Sequence, residues 1–359
     1  MQSFPRLLGD VGGTNVRFAL ETAPRRIGPV TALKVADFPS LEAAMQHYLG
    51  GLPAGSARPR HAAVGLANPV TGDRVKLTNH AWAFSISQMQ RSLGLDLLLA
   101  INDFTALALG LPHLGAQDLT PMRQGVAVAG APLALVGPGT GLGVSGLVPA
   151  RSGPAVALAG EGGHIELMPE TEDEWTAWRV AHQAFGRVSA ERLLSGMGLS
   201  LTHAALHAET GTPLARQLEP AEVTEGAIHR HDPLCERALA VFCGLLGSVA
   251  ADIALVLGAR GGVYLGGGIV PRFVPALRNS AFNARFTAKG RMSAYLESLP
   301  VYVINAQYPA LPGLAQALEE AITHGVDGDS DSDGDGDGDG DGDGDGASHA
   351  NPANQPNPA

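Results

Sequence analysis

Runs and alternations of apolar residues mark out the elements along the chain. Residues 6–20 (Arg-Leu-Leu-Gly-Asp-Val-Gly-Gly-Thr-Asn-Val-Arg-Phe-Ala-Leu) are two short apolar runs joined by a glycine turn, and predict strand, turn, strand. A third strand is expected over 31–38, then a helix capped by Ser40, running through Tyr48 and closed by Gly50 and Gly51. Residues 61–66 are an apolar strand leading into the turn-forming cluster 68–73. Ser85 or Ser87 caps a short helix with Ile86, Met89 and Leu93 on one face. Residues 97–101 are apolar throughout, the pattern of a strand in the middle of a sheet. That strand empties into Asn102 and Asp103, and 104–111 is a helix stopped by Pro112.

The second half repeats this grammar. Residues 134–147 are again an apolar run, a glycine-dense turn and an apolar run. Thr171 and Glu174 form a capping-box pair for a helix whose Trp175, Trp178 and Phe185 are assigned to packing in a core or between lobes. Ser189 caps the next helix, with Glu191 in its first turn. The run 238–257, broken by Gly244, Gly247 and Asp252, reads as part of a long buried helix (233–259) and not as a membrane span. Residues 262–265 predict a strand, Gly266-Gly-Gly-Ile269 the opening of a helix, 301–305 a last strand and 314–324 a closing helix.

The chemistry lies at the turns. Gly12 and Gly13 can take positive φ and expose backbone N–H groups, with Thr14 and Asn15 beside them, a nest that suits phosphate oxygens. Asp10 at its mouth would repel polyphosphate unless a hard cation such as Mg²⁺ intervenes. A hairpin made for geometry alone is the alternative, and the second turn weighs against it. Gly141, Gly143 and Gly146 fit G-x-G-x-x-G, but the residues after them read as strand and turn where a dinucleotide fingerprint needs a helix. The three lysines, Lys34, Lys76 and Lys289, lie outside the glycine turns, so phosphates are left to main-chain amides and a metal. Asp103, at a strand end and helix start, is placed for chemistry or serves only as a cap. Glu161 and His164 flank two glycines that can aim both into one cleft, although a lone histidine is also an ordinary structural residue.

Composition changes the picture in three places. The net charge of −11 over 359 residues includes ten aspartates between Asp327 and Asp345, so the rest of the chain is near neutral and offers no basic field for nucleic acid. That Asp/Gly/Ser repeat and the Asn/Pro/Ala segment after it predict a disordered tail over 326–359. Cys235 and Cys243 share one apolar helical stretch, giving neither a disulfide framework nor a zinc set. With no leader-like start and no membrane span expected, the reading is a cytoplasmic protein.

Taken together in order, Gly9-Asp-Val-Gly-Gly-Thr-Asn15, Asn68-Pro-Val-Thr-Gly-Asp73, Thr78-Asn-His-Ala-Trp82, Ile101-Asn-Asp-Phe-Thr-Ala106, Gly137-Pro-Gly-Thr-Gly-Leu-Gly143, Glu161-Gly-Gly-His164, Ser189-Ala-Glu-Arg192 and Leu265-Gly-Gly-Gly-Ile269 resemble the bacterial glucokinases of the hexokinase type, within the actin-like ATPase superfamily, from about residue 6 to about 323. The resemblance implies an α/β fold of two actin-like (ribonuclease H-like) lobes, 1–113 plus 304–325 and 114–303, with ATP and D-glucose in the cleft between them. It implies Asp103 as general base toward the C6 hydroxyl, and Asn102, Asp103, Glu161, His164 and Glu191 as sugar ligands. Gly9, Asp10, Val11, Gly12, Gly13, Thr14, Asn15, Gly139, Thr140, Gly141, Gly266, Gly267 and Gly268 would hold the nucleotide, with Asp10 on Mg²⁺ through water. The family is often dimeric, which leaves a homodimer open, and a kinase for another hexose remains an alternative. A sugar-responsive regulator would need a DNA-binding helix-turn-helix, and the first strand begins too early to leave space for one. A chaperone or filament ATPase would not need the Glu161/His164/Glu191 set.

Overall fold

The computed structural model describes residues 4–77 and 81–325; residues 78–80 of the motif ending at Trp82, and the whole tail from 326, lie outside them. Strands β1 (Arg6–Val11) and β2 (Asn15–Ala23) form the first hairpin, with Asp10 opposite Arg17 and Val11 opposite Val16. Leu7, Leu8, Val16 and Phe18 are fully buried, and Gly9 is where the Phe18 ring lies across β1: an added Cβ would stand 2.9 Å from it. Strands β3 (Arg26–Ile27) and β4 (Thr31–Lys34) both pair with β2. The strand expected over 31–38 therefore stops early. Val35 turns inward as a 3-10 turn begins, donating its N–H to the Thr14 carbonyl at 3.0 Å.

Helix α1 (Leu41–Gly50) starts where Ser40 Oγ accepts from the Ala43 N–H. Strand β5 (His61–Leu66) runs parallel to β1, β6 (Arg74–Lys76) and β7 (Ala83–Ser85) make a small separate ribbon, and Ser85 caps α2 (Ile86–Ser92). Strand β8 (Leu97–Asn102) completes the order β3-β2-β1-β5-β8, with β4 paired to β2. It is an edge strand, not a central one. Its unbroken apolarity has another cause: Leu98 packs into one core while Leu97, Leu99 and Ile101 pack into a second on the opposite face. Two covered faces produce the same sequence pattern as two strand neighbours.

Helix α3 (Asp103–Gly110) follows β8 directly. The second six-stranded sheet is built from β9 (Leu119–Arg123), β10 (Leu133–Pro138), β11 (Leu142–Val148), β12 (Val156–Ala157), β13 (Gly262–Leu265) and β14 (Val301–Ile304), in the order β12-β11-β10-β13-β14-β9. Its centre repeats the first sheet's design. An antiparallel hairpin (β1-β2, β10-β11) is extended from its first strand by two parallel strands (β5 and β8, β13 and β14).

Helices α4 (Glu172–Phe185), α5 (Ala190–Leu193), α6 (Gly196–Ala208), α7 (Pro220–Glu225) and α8 (Pro233–Leu257) cover this sheet, joined by the shorter α9 (Val274–Arg278), α10 (Phe282–Thr287) and α11 (Ser293–Glu297). Among the described residues α8 alone is long and apolar enough to cross a membrane, yet 78% of its most apolar window is buried inside the protein. It is the central core helix, as its composition suggests. Glu174 both completes the capping box of α4 and, at 2% exposure, accepts from Arg285 Nη1 at 2.7 Å; Arg285 Nε in turn donates to Ser248. One buried carboxylate thus ties α4, α8 and α10 together. The aromatic residues of α4 pack less deeply than expected: Trp175 and Trp178 line a surface groove and Phe185 is 42% exposed beneath the Arg192 guanidinium. Ser189 occupies the N-cap of α5, but its side chain makes no cap hydrogen bond.

The last helix, α12 (Leu311–His324), returns to the first sheet and packs on α3, β5 and β1. It crosses α3 so closely that a Cβ on Gly313 would collide with the Ala106 carbonyl. Leu8, Ala63, Ala106, Leu107, Leu311 and Leu314 share one core with Leu135 and Ile304 of the second sheet. That seam holds β8 and α3, and hence Asp103, against both sheets.

Candidate active site

Asn102, the last residue of β8, is the N-cap of α3: its Oδ1 accepts from the N–H groups of Phe104 (2.9 Å) and Thr105 (3.0 Å). The capping task is therefore done by the neighbour of Asp103. Asp103 occupies the first helical position, where its Oδ1 accepts from the Phe104 N–H at 2.9 Å and from Asn102 Nδ2 at 3.2 Å. Burial pushes its carboxyl up to about 7, the Asp10 charge adds to this, the Phe104 N–H opposes it, and the Glu161 charge contributes a further rise. A carboxyl that titrates near neutrality, with two other acids beside it, is what a base poised for proton transfer requires.

Asp10, near the end of β1, is held by Arg17 across the hairpin, Nη1 to Oδ2 at 3.0 Å. Burial raises its pKa, with Arg17 opposing. The turn after β1 leaves Gly13 and Thr14 exposed and Gly12 and Asn15 half-buried, with the Gly12 N–H donated to the Asn15 carbonyl. Neither Gly12 nor Gly13 has positive φ. The left-handed backbone expected of them is therefore not used, and a Cβ on Gly12 would stand 3.3 Å from the Asn15 carbonyl of the same turn. Gly9 and Val11 lie within β1, Val11 buried at its end.

In the second turn, Gly139 donates its N–H to the Gly141 carbonyl and accepts from the Gly196 N–H at the start of α6, while Thr140 is exposed. Glu191 seats its Oε2 on the Leu142 N–H at 2.9 Å, so close over Gly141 that a Cβ there would lie 2.3 Å from that oxygen. The glycines of the apparent G-x-G-x-x-G thus have separate neighbours: Gly141 faces Glu191, Gly143 the Phe104 ring and Gly146 Leu257. Gly141 ends the turn and Gly143 and Gly146 lie in β11, with no helix opening behind them.

The turn Gly266–Gly268 lies beside the end of β10: the Gly266 N–H donates to the Val136 carbonyl and, one residue out of the strand register, the Ile269 N–H to that of Pro138. Gly267 has φ +77° and sits against the Pro138 carbonyl, so any side chain would be both strained and blocked. The helix expected to open at Gly266 is absent. A 3-10 turn over Val270–Arg272 takes its place, and α9 begins only at Val274.

Glu161 and His164 are exposed; Glu161 precedes and His164 ends a 3-10 turn whose Gly162 and Gly163 press on Val144 and the Leu142 carbonyl. The structure thus brings Asp10, Asn102, Asp103 and Glu161 into one electrostatic group, and Glu191, Gly139–Gly141 and Gly266–Gly268 into another. Phe104 joins them. Next to Asp103 in sequence, its ring lies over Gly137 and Gly143, which face each other across the second hairpin. Sequence reasoning missed Phe104 and Arg17. The strand register that opposes Asp10 to Arg17 was the one available signal for the latter; nothing in sequence signals the former.

A family model for glucokinase matches residues 7–321. A glucokinase of Cupriavidus pinatubonensis is 74% identical over 324 residues, covering 90% of this chain and 94% of the relative. One from Ralstonia nicotianae is 50% identical, covering 90% and 97%. Among solved structures, a glucokinase from an Antarctic psychrotroph matches at 35% identity with a TM-score of 0.78, over 89% of this chain and all of the other. A Streptomyces griseus ROK family glucokinase, solved with glucose and AMPPNP, shares the fold at 19% identity and a TM-score of 0.59, over 88% of this chain and all of the other.

Proposed function

The chain belongs to the glucokinase family, and from that premise we propose how its residues divide the work of the reaction. The enzyme transfers a phosphoryl group from ATP to D-glucose, giving glucose 6-phosphate and ADP. Asp103 is the general base. It takes the proton of the C6 hydroxyl as that oxygen attacks the γ-phosphorus, the bond to the β,γ-bridging oxygen breaks, ADP carries away the electron pair, and Asp103 later releases its proton to solvent. The observation that carries this is the Asp103 carboxyl held at a strand end by Asn102 and Phe104, with burial and two neighbouring acids lifting it to about 7.

Asn102, Asp103, Glu161, His164 and Glu191 bind the sugar hydroxyls, Glu191 using the oxygen not engaged by Leu142. The turn 9–15, Gly139–Gly141 and Gly266–Gly268 hold the phosphates through main-chain amides. The donor set suits Mg²⁺: Asp10 is a part-buried carboxylate with one oxygen on Arg17 and the other unclaimed among the described residues, at the mouth of a phosphate turn. When bound, Mg²⁺ neutralises charge on the β- and γ-phosphates; Asp10 would hold it through water. The two sheets act as the cores of two actin-like lobes, 1–113 with 304–325 and 114–303, that close on glucose and exclude water from a cytoplasmic enzyme.

Replacing Asp103 by Ala is expected to leave glucose binding measurable while turnover falls on the order of 10²-fold or more. A calorimetric glucose titration beside a coupled assay for glucose 6-phosphate checks both. Unchanged turnover would remove Asp103 from the mechanism.

A further inference from the structure

Away from this cleft, three residues with metal-ligating side chains converge where α6 meets the start of α8. His203 on α6 is only 4% exposed, and its Nδ1 is buried without a hydrogen-bond partner among the described residues. Asp232 caps α8, its Oδ1 accepting from the N–H groups of Leu234 and Cys235, both at 3.0 Å. Cys235, at 1% exposure, lays its Sγ against Gly226, where an added Cβ would come within 2.5 Å of the sulfur. One donor atom from each of the three lies within 4.8 Å of the others. We propose that His203, Asp232 and Cys235 form a binding site for a soft divalent transition metal such as Zn²⁺, separate from the Mg²⁺ of the reaction.

The chemistry of the set favours that class of ion. One imidazole, one thiolate and one carboxylate make a borderline-soft donor set, and three protein ligands leave a fourth tetrahedral position for water. Asp232 is exposed, so an ion can enter from its side. Donors around tetrahedral zinc stand about 3.5 Å apart, so a set already within 4.8 Å needs to contract by no more than about 1.3 Å, within reach of side-chain rotation. Binding expels the Cys235 thiol proton to solvent.

The backbone around the site is shaped to hold it. A π-turn (Gly226–Arg230) and His231, in the left-handed region at φ 52°, bring the chain round so that the Asp232 N–H donates to the Gly226 carbonyl at 3.0 Å. A buried, unpaired Nδ1 is costly, and a metal bound through that nitrogen of His203 would supply its partner. The set is scattered in sequence, so no ligand spacing advertises it.

The test uses the full chain, reduced and metal-free, titrated with Co²⁺ as the spectroscopic probe. One equivalent is expected to produce a thiolate-to-cobalt charge-transfer band and tetrahedral visible bands, displaced by one equivalent of Zn²⁺. Cys235→Ser should abolish the charge-transfer band. Asp232→Asn, which keeps a good helix cap, should weaken Co²⁺ binding at least tenfold and remove the rise in melting temperature that Zn²⁺ gives the parent. Failure of the parent to show the band overturns the proposal, as does a band of equal strength in Cys235→Ser or undiminished binding in Asp232→Asn.

Discussion

Three influences meet at the Asp103 proton: burial and the charges of Asp10 and Glu161 retain it, and the Phe104 N–H draws it off. They fix the sign of the pH dependence. With Asp103 as the base, as proposed, it must be deprotonated to act, so kcat/KM for glucose is expected to fall as pH drops through about 7, approaching tenfold per pH unit on the acid side. Rate profiles from about pH 5.5 to 9 check this, and a profile flat below about 7.5 would contradict it. At this scale the sequence marked which polar residues stand at strand ends and glycine turns, because those positions are set by a few neighbouring residues. It was a poor guide to their partners. Arg17 on Asp10 and Leu142 N–H on Glu191 are set by register and by the fold of a distant helix, neither of which is written locally.

Among elements, the contact between α3 and the second hairpin has the sharpest consequence. A Cβ on Gly143 would lie 2.2 Å from the Phe104 ring, closer than any real contact, so Gly143→Ala must push the ring and its helix aside. Overpacking of this kind costs about 1–3 kcal/mol, to be read from urea unfolding. Because Phe104 adjoins Asp103, kcat should drop with stability, and pairing Gly143→Ala with Phe104→Leu should recover part of both. Full additivity in that double-mutant cycle would deny the contact. Caps and helix starts were legible in advance: Ser40, Ser85 and the Thr171/Glu174 box are local devices, made of residues three apart. The position of β8 was not, since an apolar run reports how many faces are covered and not how many strands flank it.

For the molecule as a whole, two sheets of matching design meet along a seam of side chains from α3, α12, β10 and β14. If glucose closes the two halves, as proposed, saturating sugar should shrink the radius of gyration in solution scattering, and sugar plus a non-hydrolysable ATP analogue should shrink it at least as far. An unchanged profile with both would confine the response to side chains.

What the sequence determined by itself was the inventory: hairpins with glycine turns, a carboxylate at a strand end, helix caps and a long apolar core helix. Each depends on neighbours within a few residues, where propensity and hydrogen-bonding geometry act. Tertiary structure alone decided that β8 is an edge, that Phe104 fills the glycine face of the other hairpin, and that His203 meets Asp232 and Cys235. Those outcomes come from packing between segments far apart in the chain, whose complementarity exists only once both are folded.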